Sequence, residues 1–328
     1  MKIVVTGGAG YIGSQTVFDL TDAGHEVAVI DRRRPHPLVQ LPAAVRFHQV
    51  DLQKYSNLKE ALAEEQPAAV VHFAALIEAG ESVLKPDEYY QNNVGGTENL
   101  LRAMSELKIP KLIFSSTAAV YGQSGSEPLV ETAPLAPINP YGESKKQAET
   151  LIAKACEQDG LKAIRLRYFN AAGADKIGRT GECHQPETHL IPLVLEAAAG
   201  VRDTITIFGN DYQTPDGTCR RDYVHVADIA AAHRLALDFL DPAEPGYTEA
   251  FNIGTGRAYS VKEIIAAAEK VSGRTIPVVV AARRPGDPDQ LVAANDLAKT
   301  RLGFEPKYSD LMTILSSAWV WARRLNEN

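Results

Sequence analysis

A short apolar run that passes directly into a run of glycines constrains this chain more than any other feature. Lys2-Ile3-Val4-Val5-Thr6 is rich in β-branched residues, as a strand buried on both faces requires. Gly7-Gly8-Ala9-Gly10-Tyr11-Ile12-Gly13-Ser14 follows, with Gly8, Gly10 and Gly13 at GxGxxG spacing. Such glycines permit a tight turn and let backbone N–H groups approach a pyrophosphate at a helix N-terminus. A second strand, Glu26 to Ile30, ends in Asp31, whose carboxylate suits the two hydroxyls of an adenosine ribose. The glycine spacing alone is common in structural turns. Strand, loop, helix, strand and acid in register predict a dinucleotide site.

The same rhythm continues. Val45 to Val50 reads as a third strand ending at Asp51-Leu52, Ala68 to Phe73 as a fourth, Lys111 to Ser115 as a fifth and Lys162 to Tyr168 as a sixth. Helical segments separate them, including a long one from about Pro86 to Leu107. This alternation predicts an α/β fold, a Rossmann-type doubly wound parallel sheet covered on both faces. Ligands gather at strand C-termini in such sheets. Gly7, Asp31, Asp51, Phe73, Ser115 and Tyr168 all fall at those ends. After Tyr168 the rhythm breaks: residues 170–187 and Gly209 to Gly217 read as loops, and His189 to Ala199 and Val226 to Leu240 as helices. Phe251 to Gly256 and Ile276 to Val280 read as short strands. The expected organisation is a dinucleotide-binding domain over 1–168 and a smaller C-terminal substrate-binding lobe over 169–328. Residues from about 224 to 254 are expected to return to the first domain.

Tyr141-Gly142-Glu143-Ser144-Lys145 supplies chemistry. Residues four apart on a helix share a face, so Tyr141 and Lys145 can enter one site. A phenol with its usual pKa near ~10 is a poor base at neutral pH, and an ammonium beside it favours the phenolate. The pair therefore suits a general base or acid.

The formal net charge of -7 argues against a general nucleic-acid binder, and Arg32-Arg33-Arg34 is too short to make a polyanion surface. No apolar stretch approaches the length of a membrane span. The chain enters a strand directly, with no signal peptide in view, so a cytoplasmic protein is expected. Cys156, Cys183 and Cys219 are an odd, scattered set that makes no disulfide framework. Cys183-His184 is an adjacent pair without a second pair, so no metal is expected.

Further motifs narrow the reading. They are His72-Phe73-Ala74-Ala75, Asn92-Asn93-Val94, Ser115 to Gly122, Arg167-Tyr168-Phe169-Asn170, Asp216-Gly217-Thr218, Arg221 to Val226, Asn252-Ile253-Gly254 and Arg283-Arg284-Pro285-Gly286-Asp287. With the glycine loop and the Tyr141–Lys145 pair, they make essentially the whole chain resemble the extended short-chain dehydrogenase/reductase superfamily, in its NAD-dependent epimerase/dehydratase family. The resemblance implies reversible inversion at C4 of a UDP-hexose, interconverting UDP-glucose and UDP-galactose. The route is transient C4 oxidation with tightly bound NAD, turning of the 4-keto sugar, and hydride return.

Residue roles follow from the resemblance. Tyr141 is implied as the base for the 4-hydroxyl, Lys145 as the group that lowers its pKa and binds the nicotinamide ribose, and Thr117 as the hydroxyl that orients the reacting oxygen. Gly7, Gly10, Tyr11, Ile12, Gly13, Asp31, Asp51, Leu52, Phe73, Ala74, Ala75, Asn92, Ser115 and Tyr168 are implied at NAD. Phe169, Asn170, His189, Leu190, Phe208, Arg221, Tyr223, Arg284 and Asp287 are implied at the UDP-sugar, with Leu291 bordering the sugar pocket. His189 is expected to act more through its backbone than its ring, and His72 to be a satisfied core histidine. A homodimer through the helices around Asn92 to Leu107 and Ser144 to Cys156 is implied as well. Two arginines suit a diphosphate, because the guanidinium fork binds such oxygens bidentately. Arg32 beside Asp31 raises NADP as an option, but Asp31 would repel the extra phosphate, so NAD is expected. A sugar-nucleotide dehydratase needs carboxylates after the threonine, where this chain has Ala118 and Ala119. The other readings are an epimerase of UDP-N-acetylhexosamines or UDP-pentoses and a non-catalytic NAD sensor, which has no need of Thr117, Tyr141 and Lys145 together.

Overall fold

Short apolar runs that lack a polar face suit strands covered on both sides, and here they form the middle of one central sheet. A computed structural model describes residues 1–122, 127–284 and 287–327. Pro285 and Gly286 of the arginine-rich motif lie outside the described residues. The first half runs β1 (Lys2–Thr6), α1 (Tyr11–Asp22), β2 (Glu26–Asp31), β3 (Arg46–Gln49), α2 (Tyr55–Glu65), β4 (Ala69–His72), α3 (Ala79–Leu84), α4 (Pro86–Tyr89), α5 (Gly96–Leu107), β5 (Lys111–Thr117), α6 (Pro140–Asp159) and β6 (Lys162–Tyr168). The second half runs β7 (Asn170–Ala172), α7 (Leu190–Ala199), β8 (Ile205–Phe208), β9 (Arg220–His225), α8 (Val226–Leu240), β10 (Thr248–Ile253), β11 (Ala258–Ser260), α9 (Val261–Ser272), β12 (Val278–Ala281), β13 (Gln290–Leu291) and α10 (Leu311–Asn326).

The central sheet has seven strands in the order β10-β6-β5-β4-β1-β2-β3. All its neighbours are parallel. The side-chain period of two sends Ile3 and Val5 to one face and Val4 to the other. Ile3, Val5, Val29 and Val71 pack with Val17 and Leu20 of α1 and with Ile229 and Leu237 of α8. Val4, Ile30 and Val70 pack with Leu58 of α2, Leu100 and Met104 of α5, and Ile152 of α6. Strand order reverses between β1 and β4, and that switch point is where an open α/β sheet leaves a crevice. The fold class is the doubly wound sheet expected.

Both α8 and β10 come back to this sheet after the chain has left it. The smaller lobe holds a four-stranded sheet of β7, β9, β11 and β13, with β8 and β12 paired apart. Ile191 and Leu195 of α7, Ile264 of α9 and Ile314 of α10 form its core.

Four local readings shift. The stretch 170–187, read as a loop, opens with β7, which pairs with β9. The long helix from Pro86 is interrupted by a π-helical turn, Tyr90–Gly95, before α5 begins. The strand read as Phe251 to Gly256 is β10, which starts earlier because Thr248 pairs with Ala163 of β6. The strand read as Ile276 to Val280 is β12, two residues later at its start, where it meets Ile205 of β8. Among the described residues, no helix is long and apolar enough to cross a membrane.

Candidate active site

The glycine loop sits at the switch point. Gly7 adopts φ +73°, and a Cβ there would lie 2.5 Å from the backbone nitrogen of Ala74, just after β4. A Cβ on Gly13 would lie 2.2 Å from the Gly7 carbonyl oxygen, so α1 can approach the loop only with hydrogen at that position. Gly10 N-caps α1 without a side-chain hydrogen bond, and the first turn carries no acid. The N–H groups of that turn, those of Tyr11 and Ile12 among them, keep the partial positive charge that draws an anion. The Tyr11 ring is used differently: its hydroxyl donates to the Gly173 carbonyl at 2.6 Å and ties the loop to the smaller lobe.

At the end of β2, Asp31 accepts hydrogen bonds from the N–H of Ala9 (3.1 Å) and of Arg33 (2.9 Å). Burial raises its pKa. Arg32 reaches across to donate to Asn92 Oδ1 at 3.2 Å, which puts Asn92 at this end of the crevice. Asp51 accepts the Gln53 N–H at 2.9 Å, and Leu52 is buried against Gly96. The residues expected at an adenosine therefore share one edge. Glycine cradle, uncapped helix start and acid at β2 fit a dinucleotide.

Beside β1, the Phe73 ring stacks 4.5 Å from His233, and Ala74 and Ala75 carry the chain past the loop. His72 is the satisfied core histidine expected: Nδ1 lies 2.6 Å from Thr6 Oγ1 and Nε2 lies 3.1 Å from Thr97 Oγ1. Burial lowers its pKa to about 3.

Asn139 caps α6 by accepting the Gly142 N–H at 2.8 Å, and Pro140 occupies the first turn, where its missing N–H costs nothing. That start sets Tyr141 against Thr117, the last residue of β5. Burial pushes the Tyr141 phenol up to about 12, a hydrogen bond with Thr117 pulls it down, and the Glu78 carboxylate adds to the rise. Burial lowers Lys145 to about 7, with Glu149 pulling it back up. The Lys145 ammonium donates to the Ser115 carbonyl at 2.7 Å and lies 4.6 Å from the centroid of the Phe114 ring. Ser115 and Tyr168 bond hydroxyl to hydroxyl at 2.5 Å. Tyr141, Thr117, Lys145, Ser115 and Tyr168 thus meet at the ends of β5 and β6. Lys145 is within this group but spends its proton on the sheet, and it does not set the pKa of Tyr141 in the protein alone.

The substrate-lobe residues form a second group. Asn170 pairs with Tyr223 and Leu291 with Arg221, through β7, β9 and β13. Phe169 and Leu291 pack with Ala118, the residue after Thr117. Arg221 donates to the Arg220 and Pro288 carbonyls at 2.8 and 3.0 Å and pairs with Asp287, which leaves the rest of its fork for a ligand. The Arg284 guanidinium lies 4.1 Å above the Phe208 ring. Leu190, at the start of α7, packs in the cluster that holds Tyr223. The His189 ring turns aside: its Nδ1 lies 2.8 Å from Glu182 and 2.9 Å from Glu187. Those carboxylates, working against burial, raise its pKa to about 11.

Some supporting residues are not legible as such in the sequence. Asn93 accepts the Leu76 N–H at 2.8 Å and donates to the Leu76 carbonyl and to Ser144 Oγ, both at 3.0 Å. It thereby locks the residue next to Lys145. Glu149 accepts a bidentate fork from Arg167 at 2.9 and 2.6 Å and a hydroxyl from Ser116 at 2.5 Å, all buried beneath Thr117. Asp222 turns inward from the Arg221–Val226 motif to accept the Thr255, Gly256 and Ala293 N–H groups at 2.9, 3.0 and 3.2 Å.

Comparison with known proteins agrees with this geometry. A family model described as the NAD dependent epimerase/dehydratase family matches residues 3–254. A UDP-glucose 4-epimerase of Halalkalibacterium halodurans is 47% identical over 321 residues, 98% of this chain and 95% of that protein. The structure of UDP-glucose 4-epimerase from Brucella ovis in complex with NAD is 44% identical, covers 98% of each chain and superposes with a TM-score of 0.93. That of UDP-glucose 4-epimerase from Bifidobacterium longum in complex with NAD+ and UDP is 35% identical, covers 99% of this chain and 98% of the other, and has a TM-score of 0.93. With a match over most of its length and a glycine loop, a tyrosine–lysine pair and a two-arginine lobe in place, this chain belongs to the NAD dependent epimerase/dehydratase family.

Proposed function

We propose that this enzyme interconverts UDP-glucose and UDP-galactose by reversible inversion at C4, with NAD held tightly and regenerated in each turnover. The observation that carries the reading is that the buried Tyr141 phenol sits beside Thr117 at the sheet end, where Thr117 lowers its pKa, with Lys145 on the next turn of the same helix. Bound NAD supplies the hydride acceptor and, once reduced, the hydride donor at the sugar C4. Tyr141 takes the 4-hydroxyl proton and gives it back, Thr117 orients that oxygen, and Lys145 binds the nicotinamide ribose and favours the phenolate. The N–H groups of Tyr11, Ile12 and Gly13 hold the pyrophosphate, Gly7 and Gly10, whose own N–H groups bond the Ile30 and Gly7 carbonyls, shape the turn that lets it approach, and Asp31, Asp51, Leu52 and Asn92 hold the adenosine. Phe73, Ala74, Ala75, Ser115 and Tyr168 line the nicotinamide half.

In the smaller lobe Arg221 and Arg284 bind the diphosphate; Asn170, Leu190, Phe208, Tyr223, Asp287 and the backbone of His189 hold the rest of the UDP. Phe169 and Leu291 border a pocket loose enough for the 4-keto ring to turn. Residues 1–168, with about 224–254, serve NAD, and 169–328 mainly serve the UDP-sugar. A dehydratase is disfavoured because Ala118 and Ala119 form a bare 3-10 turn after Thr117. Incubation of purified protein with UDP-glucose, UDP-N-acetylglucosamine and UDP-xylose, with products read by NMR, tests the assignment. Failure to form UDP-galactose from UDP-glucose sinks it.

The protein is further proposed to be a cytoplasmic homodimer. Three free cysteines suit a reducing compartment. Val83 and Leu84 stand 62% and 82% exposed on α3, beside α6, and a second copy would cover them. Light scattering that finds only monomer at micromolar concentration rejects the dimer; recovery in the membrane fraction rejects the location.

A further inference from the structure

The loop that leads into α7 gathers four ligand-type side chains for which the proposed reaction has no use. Glu182, His184, Glu187 and His189 each turn one ligand atom inward, and those atoms lie within 4.8 Å of one another. His189 Nδ1 is 2.8 Å from Glu182 and 2.9 Å from Glu187; His184 Nδ1 is 3.1 Å from Glu182 and 4.0 Å from Glu187. Both carboxylate side chains are only 8% exposed. Both carboxylates are largely out of water and each pairs with both imidazoles, so a divalent cation at the centre would exchange those imidazole–carboxylate pairs for coordinate bonds.

The donor set decides which cation. Two imidazole nitrogens and two carboxylate oxygens suit Zn2+ in a closed tetrahedral site. With metal–ligand bonds of about 2.0–2.1 Å, ligand atoms of a tetrahedron sit about 3.3–3.4 Å apart. The separations to Glu182 Oε1 and Glu187 Oε1, at 2.8, 3.1 and 2.9 Å, fall short of that value by no more than about 0.6 Å, so small side-chain rotations open the shell to an ion. Supports are in place: Glu187 also accepts the N–H groups of Thr188 and His189 at 2.7 and 2.8 Å. A cavity of about 310 Å³, lined by Glu182, His184 and Glu187, gives an ion a way in. A second group, His48, Glu64 and Glu65, makes the contrast. There the buried Glu65 pairs with Lys2 at 3.0 Å and with Arg46, cationic groups that offer no lone pair to a metal.

The position of the cluster suggests its purpose. Tyr11, the first residue of α1, sets its ring edge-on to His184 with centroids 6.5 Å apart, and Thr188 donates to Glu78 at 2.5 Å. We infer that Glu182, His184, Glu187 and His189 bind one Zn2+, which clasps the substrate-lobe loop 182–189 against the glycine-loop helix. The site has four protein ligands and no open position, so its part is structural.

The test uses the full chain, stripped with EDTA, dialysed and titrated with zinc sulfate in a calorimeter. One Zn2+ should bind per chain with Kd below about 1 μM and raise the melting temperature. His184→Ala and Glu182→Gln should each weaken binding at least ~10-fold while NAD content stays unchanged, and Cys183→Ser should bind as wild type. Zinc-edge absorption should report nitrogen and oxygen neighbours only. No binding up to about 100 μM overturns the inference. So does full binding by both ligand variants, or a sulfur neighbour that Cys183→Ser removes. If the ligand variants do not fold, the wild-type absorption spectrum and Cys183→Ser decide.

Discussion

Lys145→Met, compared with Tyr141→Phe, separates two jobs the lysine can do: stabilise charge on the phenol or merely position it. In the protein alone Tyr141 stands at about 12 and Lys145 at about 7. A phenol at about 12 is ionised to roughly one part in ten thousand at pH 8. Bringing its pKa to ~8 requires roughly 5–6 kcal/mol in favour of the phenolate. One unit charge about 4–5 Å away supplies roughly 3–4 kcal/mol at an effective dielectric near 20. A single cation falls short and two suffice, so the positive ring of oxidised NAD is required together with a Lys145 that takes up its proton as the phenolate forms beside it. Removing the ammonium withdraws about half of the stabilisation, and the Tyr141 pKa in the loaded enzyme rises by roughly 2–3 units. The acid limb of the kcat profile must move up with it. Epimerisation of UDP-glucose measured from about pH 6 to 10 should then show Lys145→Met slower by ~10²–10³-fold near pH 7 and recovering as pH rises. Tyr141→Phe should be slower by ~10²–10⁴-fold at every pH, because no proton acceptor remains. A Lys145→Met profile that is lowered uniformly, with its limb in the wild-type position, refutes the electrostatic role. Near-normal turnover by Tyr141→Phe refutes the base.

Lys145 also predicts a stability slope: between its folded value of about 7 and the ordinary lysine value of 10.5, the unfolded chain keeps a proton that the folded chain has lost, so cofactor-free wild type gains stability as pH rises through that window. Urea melts of Lys145→Met should lack that gain, worth roughly 4–5 kcal/mol, and equal slopes in the two proteins would contradict the burial of a neutral amine. Glu149→Gln strands the Arg167 guanidinium beneath Thr117 and should cost about 3–5 kcal/mol in the same melts; a loss under about 1 kcal/mol means the pair is dispensable. Gly13→Ala must displace the Gly7 carbonyl, so the purified variant should retain little NAD, measured by absorbance after denaturation, whereas full retention shows that the loop can yield. Leu291→Ala enlarges the pocket beside Ala118 and Phe169 and should raise turnover of UDP-N-acetylglucosamine relative to UDP-glucose by roughly 10–200-fold; an unchanged ratio removes Leu291 as the gate.

The parts of this molecule legible in the sequence are those governed by a local rule. β1, β2, β4 and β5 are visible because a strand covered on both faces carries a contiguous apolar run, and the functional residues at the strand ends follow from the geometry of a parallel sheet. β9 obeys no such rule. Arg220-Arg221-Asp222 has no apolar run to mark a buried strand, yet Asp222 is buried because its carboxylate satisfies N–H groups of residues 255, 256 and 293, which lie far along the chain. The helix over 86–107 reads as one period, and the π-helical turn within it surrounds Asn93, whose partners Leu76 and Ser144 belong to other elements. The tyrosine–lysine pair shows the limit most sharply. Helical spacing fixes the face on which Lys145 lies but not which acceptor its ammonium chooses, and the nearby Ser115 carbonyl takes it. The Glu182 to His189 cluster sits in a loop, where no period relates one side chain to the next, so its convergence is a property of the folded chain alone. What unites these cases is that a buried polar group is placed by its partner, and the partner is set by topology rather than by sequence distance.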